Sequence, residues 1–367
     1  MVKLKNTDSE SFKEYIKNKK VIVFGAGKAL ETPLYTYFEN KDIDQVVDND
    51  RSKWSSHFNH NGKEVYISGP DYFKKQIDLD NTIIFVTSTF YAAEIVEQLD
   101  SIKEIDGVEC FLAVVIRDTI GEKVPFEFSR GKQRIPKKIH YIWLGGKPLP
   151  DEFKENIQSW RKYNPDYEII RWDESNYDFS KSDYVREAYE SKEWGFASNY
   201  MRLDIVFNHG GIYLDTDVKA LKSFDVLLND DVFFNMGNSV STNMGCGFGA
   251  KIGGGIIRDM RSILGKVQFI DNSGENNRTP FHVYTDVILK KYGFKLKNQY
   301  QKVDSVVLYP REVMSPKTIE GISDDYTEKT ISVHLEDGSW KKINESKGQQ
   351  MLSDLIKNRL GWENSNV

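Results

Sequence analysis

Residues 194–218 read WGFASNYMRLDIVFNHGGIYLDTDV, and no other run restricts the folds open to the chain as much. From Trp194 to Asn208 the apolar residues Phe196, Tyr200, Leu203 and Phe207 recur at helical spacing, which predicts an amphipathic helix. Ser198 and Arg202 stand four apart and share another face, with Asn199 beside them. Gly210-Gly211 then stops the helix, because glycine reaches left-handed backbone geometry at little steric cost. The apolar run Ile212 to Leu214 follows at once and reads as a buried strand.

The same alternation continues upstream. Ile139 to Leu144 (IHYIWL) predicts a strand, followed by Gly145-Gly146 and a helical segment from Pro150 to Tyr163; Tyr167 to Trp172 (YEIIRW) predicts the next strand. Nearer the start, a helix is expected over Ser9 to Asn18. Strands are expected at Lys20 to Phe24, Gln45 to Val47 and Thr82 to Val86, and a helix at Ala92 to Leu99. Strands alternating with helices imply doubly wound parallel sheets, so the fold class is α/β. A chain of 367 residues exceeds the ~250 to 300 at which single cores stop growing. Residues 121–138 (GEKVPFEFSRGKQRIPKK) show little periodicity and read as a linker. The expected organisation is a Rossmann-like α/β domain at 1–125 followed by a second α/β domain at 135–367. In the first, Gly25 and Gly27 permit a tight turn and Asp48 stands where a ribose-binding acid would, but Leu30 replaces the third glycine of a dinucleotide fingerprint. The reading adopted is a module whose glycines only make the turn.

A composition of 39% hydrophobic and 29% charged residues is that of a folded, soluble chain. The net charge of −5 comes with no basic stripe, which excludes nucleic acid as the expected partner. Cys110 and Cys246 are too few for a disulfide framework or a cysteine metal site and fit a reducing compartment. No secretory segment and no window of ~18 uncharged apolar residues is found, so a cytoplasmic location is expected. Gln349 to Leu360 predicts an amphipathic helix that packs on its own domain, peripheral membrane contact being the alternative.

Asp215 and Asp217 close the Gly210-Gly211 strand. On an extended backbone their carboxylates point to one side, about 7 Å apart. Two hard oxygen donors beside an arginine suit a divalent cation, Mn²⁺ or Mg²⁺, bridging to phosphate oxygens. A capped surface turn is the alternative, since Asp-x-Asp alone is common.

The longer run FASNYMRLDIVFNHGGIYLDTDV resembles the sugar-nucleotide-binding region of glycosyltransferases with a DXD motif: the family 32 enzymes of polysaccharide assembly and the catalytic domains of the large clostridial glucosylating toxins. The resemblance takes in IPKKIHYIWLGGKPLP, NIQSWRKYNPDYEIIRWDE, VVLYPREVMSP and HLEDGSW, from about residue 135 to 345. It implies a GT-A type domain that transfers a hexose from a nucleotide sugar, of which a UDP-sugar is the expected donor, with retention at the anomeric carbon. The implied acceptor is a glycan, lipid-linked or glycoprotein. It further implies that Trp143 stacks on the base and that Arg202, beside Ser198, contacts sugar and phosphate. Asp215 would reach ribose, sugar or a metal-bound water, and Asp217 would ligate the metal, with His334 as a third ligand. Ser339 and Trp340 would bond the β-phosphate.

Asn199 stands where that family has Asp, which keeps shape and a hydrogen bond but loses charge. A sugar-nucleotide binder with weak catalysis is the alternative this raises. Structural alternatives remain for Trp143 as a core aromatic, for Arg202 as a partner of Asp204 and for His334; His140 is expected to be structural. LDTDV also fits the start of a haloacid-dehalogenase phosphatase, with Asp324-Asp325 as its later acids. That enzyme needs the motif on its first strand, whereas two predicted strands precede it here.

Overall fold

The computed structural model describes residues 1–360 apart from 8, 28–29, 31–32, 35–36, 76, 89–90, 117–123, 238–240, 271–273, 275, 278–280, 296, 318–325 and 336–342, and residues 282–283, 343–347 and 349 by backbone alone. Ser339, Trp340, Asp324 and Asp325 therefore lie outside the described residues. The chain divides into two compact units, Met1–Ile120 with Trp340–Val367, and Gly121–Ser339.

The first unit holds a seven-stranded sheet of β1 (Lys3–Lys5), β2 (Lys20–Phe24), β3 (Gln45–Val47), β4 (His57–His60), β5 (Lys63–Ser68), β6 (Thr82–Val86) and β7 (Glu109–Leu112). Its order is β1-β7-β6-β2-β3-β5-β4, and every pairing is parallel except β4 with β5. The expected strands β2, β3 and β6 form its centre, their side chains largely buried. The β4–β5 hairpin was not anticipated, although Asn61-Gly62, both at positive φ, is a hairpin turn signal. Helices α1 (Ser9–Ile16) and α2 (Ala92–Asp100) accompany the sheet.

At the glycine turn, Gly25 has φ +112° and a Cβ there would sit 2.3 Å from Thr87 Oγ1. Asp48 accepts the Ala26 N–H at 2.6 Å and the Asp50 N–H at 2.8 Å, and pairs with Lys53 at 3.2 Å. Its carboxylate satisfies the turn's own amides.

The second unit holds β8 (Lys138–Ile142), β9 (Glu168–Trp172), β10 (Gly211–Tyr213), β12 (Val232–Asn235), β13 (Phe248–Ala250), β14 (Gln301–Val303) and β15 (Val306–Tyr309), in the order β14-β15-β12-β13-β10-β8-β9. β8 is parallel to β9 and β10, while β13 runs antiparallel between β10 and β12. A separate ribbon pairs β11 (Val218–Ala220) with β16 (Ser332–His334). The helices are α3 (Asp151–Tyr163), α4 (Asp183–Glu190), α5 (Trp194–His209), α6 (Gly255–Leu264) and α7 (Phe281–Lys291). The mixed α/β class matches the expectation. One face of this sheet packs Tyr213 and Phe234 with α5, and the other packs Ile212 and Phe233 with Trp160 of α3, as the two-residue period of a strand requires.

α5 departs from its amphipathic reading. Ala197 to Val206 are buried almost all round, whereas Phe196 and Phe207 are only partly covered. The helix is flanked by α4 and α6 as well as by the sheet, so its polar residues are enclosed too. Asp204 is satisfied by Lys181 at 2.8 Å and Arg261 at 2.9 Å, not by Arg202.

The C-terminal helix α8 (Ile343–Leu360) packs in the first unit, whereas the sequence reading extended the second domain to 367. Leu352 and Ile356 are buried, and Arg359 pairs with Asp100 of α2 at 2.6 Å. An amphipathic pattern shows that one face is covered, not which sheet covers it.

His140 is structural, as expected. Fully buried in β8, it bonds the Gly210 carbonyl through Nε2 at 2.7 Å and accepts the Trp172 indole N–H at Nδ1 at 3.1 Å. Burial lowers its pKa to about 4. Because the neutral form is favoured on folding, this contribution is present above the unfolded value of about 6.5 and is lost as pH falls toward 4, by up to about 3 kcal/mol. Urea unfolding between pH 7.5 and 4.5 should therefore show the wild type losing stability more steeply than His140→Asn; parallel curves would refute this.

Candidate functional site

The chain leaves β10 at Tyr213 and turns at once. Val218 N–H donates to Asp215 O at 3.1 Å, so the two aspartates sit on a turn and not on the extended strand expected. The turn draws together the carboxylates that an extended backbone would hold about 7 Å apart. Neighbours fix it from several directions: Asp215 N–H to Gly245 O at 3.0 Å, Asn156 Nδ2 to Thr216 O at 3.0 Å, Trp160 Nε1 to Val218 O at 2.7 Å, and Leu335 N–H to Asp217 O at 2.9 Å. Asn156 and Trp160 stand one turn apart on α3, which explains how that helix reaches both sides of the motif.

The β11–β16 ribbon places His334 opposite Val218. His334 Nε2 thereby lies 3.1 Å from Asp217 Oδ1, across 117 positions of sequence. Ligand atoms of Asp215, Asp217 and His334 all lie within 4.8 Å of one another. Adjacent ligands of an octahedral ion with ~2.1 Å bonds are ~3 Å apart, so small side-chain adjustments would let the three groups close on one cation. Two carboxylates and an imidazole make a mixed oxygen and nitrogen donor set of the kind that divalent cations accept.

Arg202 is buried beside the acids. Its Nη2 lies 3.3 Å from Asp215 Oδ1 and donates to Ser198 Oγ at 2.8 Å, while Nε donates to Ser198 O at 3.2 Å. Ser198 Oγ in turn donates to Gly195 O at 2.7 Å. The guanidinium lies over the Tyr213 ring, 4.7 Å from its centroid. The Tyr213 hydroxyl donates to Asp215 Oδ1 at 2.6 Å. Burial opposes the arginine's charge, but Asp215, Tyr213 and Asp217 outweigh it and hold the pKa above its ordinary value. Burial drives the Tyr213 phenol well above its usual range, so it stays a donor.

Of the residues singled out by sequence, Asp215, Asp217, His334, Arg202 and Ser198 converge. Asn199 is half-buried beside Ser198 on α5. Trp143, half-buried just past β8, donates its indole N–H to Lys147 O at 2.7 Å and meets Phe153 edge-on. Three contributors were missed. Besides Tyr213 these are Asn243, whose Nδ2 is 3.2 Å from His334 Nδ1, and Gly245, where a Cβ would fall 2.3 Å from Asp215 Oδ2. The glycines at 245 and 247 were the available signal, since paired glycines often mark a close backbone approach.

Residues 150–234 match the family described as a glycosyltransferase sugar-binding region containing a DXD motif. The chain thus carries such a region, running from α3 to β12 and including Ser198, Asn199, Arg202, Asp215 and Asp217; Trp143 and His334 lie outside it. Over 106 residues the chain is 33% identical to inositol phosphoceramide mannosyltransferase 3 of Schizosaccharomyces pombe, covering 28% of this chain and 30% of that protein. Over 194 residues it is 27% identical to an uncharacterised glycosyltransferase of Acanthamoeba polyphaga mimivirus, covering 50% of this chain and 76% of that one. Among solved structures, the PaToxG glycosyltransferase overlaps 43% of this chain and 70% of that one, at a TM-score of 0.36 and 17% identity. The chain spans about a third of the length of the mannosyltransferase relatives it matches. The resemblance to DXD glycosyltransferases read from the sequence holds.

Gly245→Ala should push the Asp215 carboxylate aside and weaken Mn²⁺ binding about 10- to 100-fold by titration calorimetry. Unchanged affinity in a folded variant would remove Asp215 from the cation site.

Proposed function

We propose that this chain is a metal-dependent, retaining glycosyltransferase of GT-A type that moves a hexose from a UDP-sugar to a glycan or polysaccharide-precursor acceptor. The observation that carries this reading is the convergence of Asp215, Asp217 and His334 on one point beside the buried Arg202, inside a DXD sugar-binding region. Asp217, Asp215 and His334 would hold Mn²⁺ or Mg²⁺. When bound, such a cation neutralises charge developing on a departing diphosphate.

Arg202 supplies a fixed positive charge beside that position, already oriented by Ser198 and Asp215, so it needs little reorganisation as the leaving group gains charge. Tyr213 keeps Asp215 turned toward the arginine. Trp143 offers an indole for stacking the base, held in orientation by its bond to Lys147. Asn199 would present an amide to a sugar hydroxyl. Retention, the UDP donor and the roles of Ser339 and Trp340 rest on the family resemblance. The name of the Schizosaccharomyces relative supports a lipid-linked acceptor.

Asp217→Ala is expected to abolish Mn²⁺-dependent binding of UDP-sugars; the same affinity in wild type and variant would overturn the assignment. Asn199→Asp should keep the fold and raise or shift sugar turnover in an assay of UDP release. An unchanged donor profile would make position 199 purely structural.

A further inference from the structure

Arg202 has a second aromatic neighbour that the sugar-binding region does not contain. Phe281, the first residue of α7, lies under its guanidinium at 5.5 Å from the ring centroid. Phe281 is itself half-buried. The helix it starts is tied down one turn later: Thr242 donates to the Asp286 carboxylate through Oγ1 at 2.7 Å and through N–H at 3.2 Å, and Thr242 Oγ1 meets Thr285 Oγ1 at 3.2 Å. Both Thr285 and Asp286 are fully buried. Thr242 directly precedes Asn243, which reaches His334, so α7 is anchored to the segment that borders the acids.

From this we infer that Phe281 is a positioning residue, its ring setting the plane of the Arg202 guanidinium so that Nη2 serves Asp215 and an incoming diphosphate. Hydrogen bonds that Arg202 donates to Ser198 hold two of its nitrogens but leave the plane free to tilt about the side chain's long axis. A ring that turns its quadrupolar face to the guanidinium restricts that tilt, and such a contact gains as it is withdrawn from water. Tyr213 supplies one such face and is bound to Asp215; Phe281 supplies another from α7. The inference rests on the reading of Arg202 as a phosphate contact, and its test has an arm that does not.

Phe281→Leu keeps apolar volume without a ring, and Phe281→Tyr restores the ring. The Arg202 Nε–H resonance, identified by its loss in Arg202→Lys, is expected to be ring-shifted in the wild type and in Phe281→Tyr, and to move in Phe281→Leu. With Mn²⁺ present, calorimetry should show UDP binding about tenfold weaker in Phe281→Leu than in Phe281→Tyr, while UMP binding is the same in both. An Nε–H signal unmoved by Phe281→Leu, or equal loss of UDP affinity in both variants, would overturn the proposal. If the resonance follows the ring but UDP fails to bind even the wild type, the donor reading falls and the placement of Arg202 by Phe281 stands.

Discussion

The architecture of the second unit depends on a charge that is almost wholly withdrawn from water. Arg202 is 6% exposed in the middle of α5. An uncompensated guanidinium there would be strongly destabilising, because desolvating an ion is worth several kcal/mol. Asp215 must therefore lie where it does before any ligand arrives. The Tyr213 hydroxyl, the Gly245 carbonyl on the Asp215 amide, and the missing side chain at position 245 all serve that placement. A carboxylate pinned in this way is preorganised, and its negative charge and the arginine's positive charge stand ready just past the end of β10.

The helix–glycine–strand connection makes the pairing geometric. Gly210 at φ +62° and Gly211 at φ +101° fold β10 back along α5, so that a helix residue eight positions before the glycines meets strand residues just after them. The two-residue period of the strand puts Tyr213 and Asp215 on the face that looks at Arg202. A Cβ at Gly211 would come within 2.8 Å of the Lys138 carbonyl, so the close approach of β8 leaves room for glycine alone. The site thus sits at the carboxyl end of β8 and β10, where α/β sheets bind ligands.

Much of this was legible from the chain. The buried central strands β2, β3 and β6 announced themselves as apolar runs, and α5 with its double-glycine stop was readable residue by residue. The donor-binding candidates on α5 and the acidic pair were visible because they lie within one local unit. Tyr213 was passed over because a tyrosine inside an apolar strand looks like core, and it is core on one side. Asn243 and Gly245 carried only a weak glycine signal, since their role is set by what approaches them.

The sequence by itself determined the α/β class, the helix that ends at Gly210 and the acidic pair that follows the double glycine on the chain, because hydrophobic period and glycine stereochemistry act over a few residues. Only the tertiary structure decided that the acids sit on a turn, that His334 joins them through the β11–β16 ribbon, that α5 is enclosed on nearly every side, and that α8 packs in the first unit. Those facts depend on which surfaces meet in the folded chain, in the case of His334 and Asp217 across 117 positions, and a local pattern specifies that a face is buried without specifying its partner.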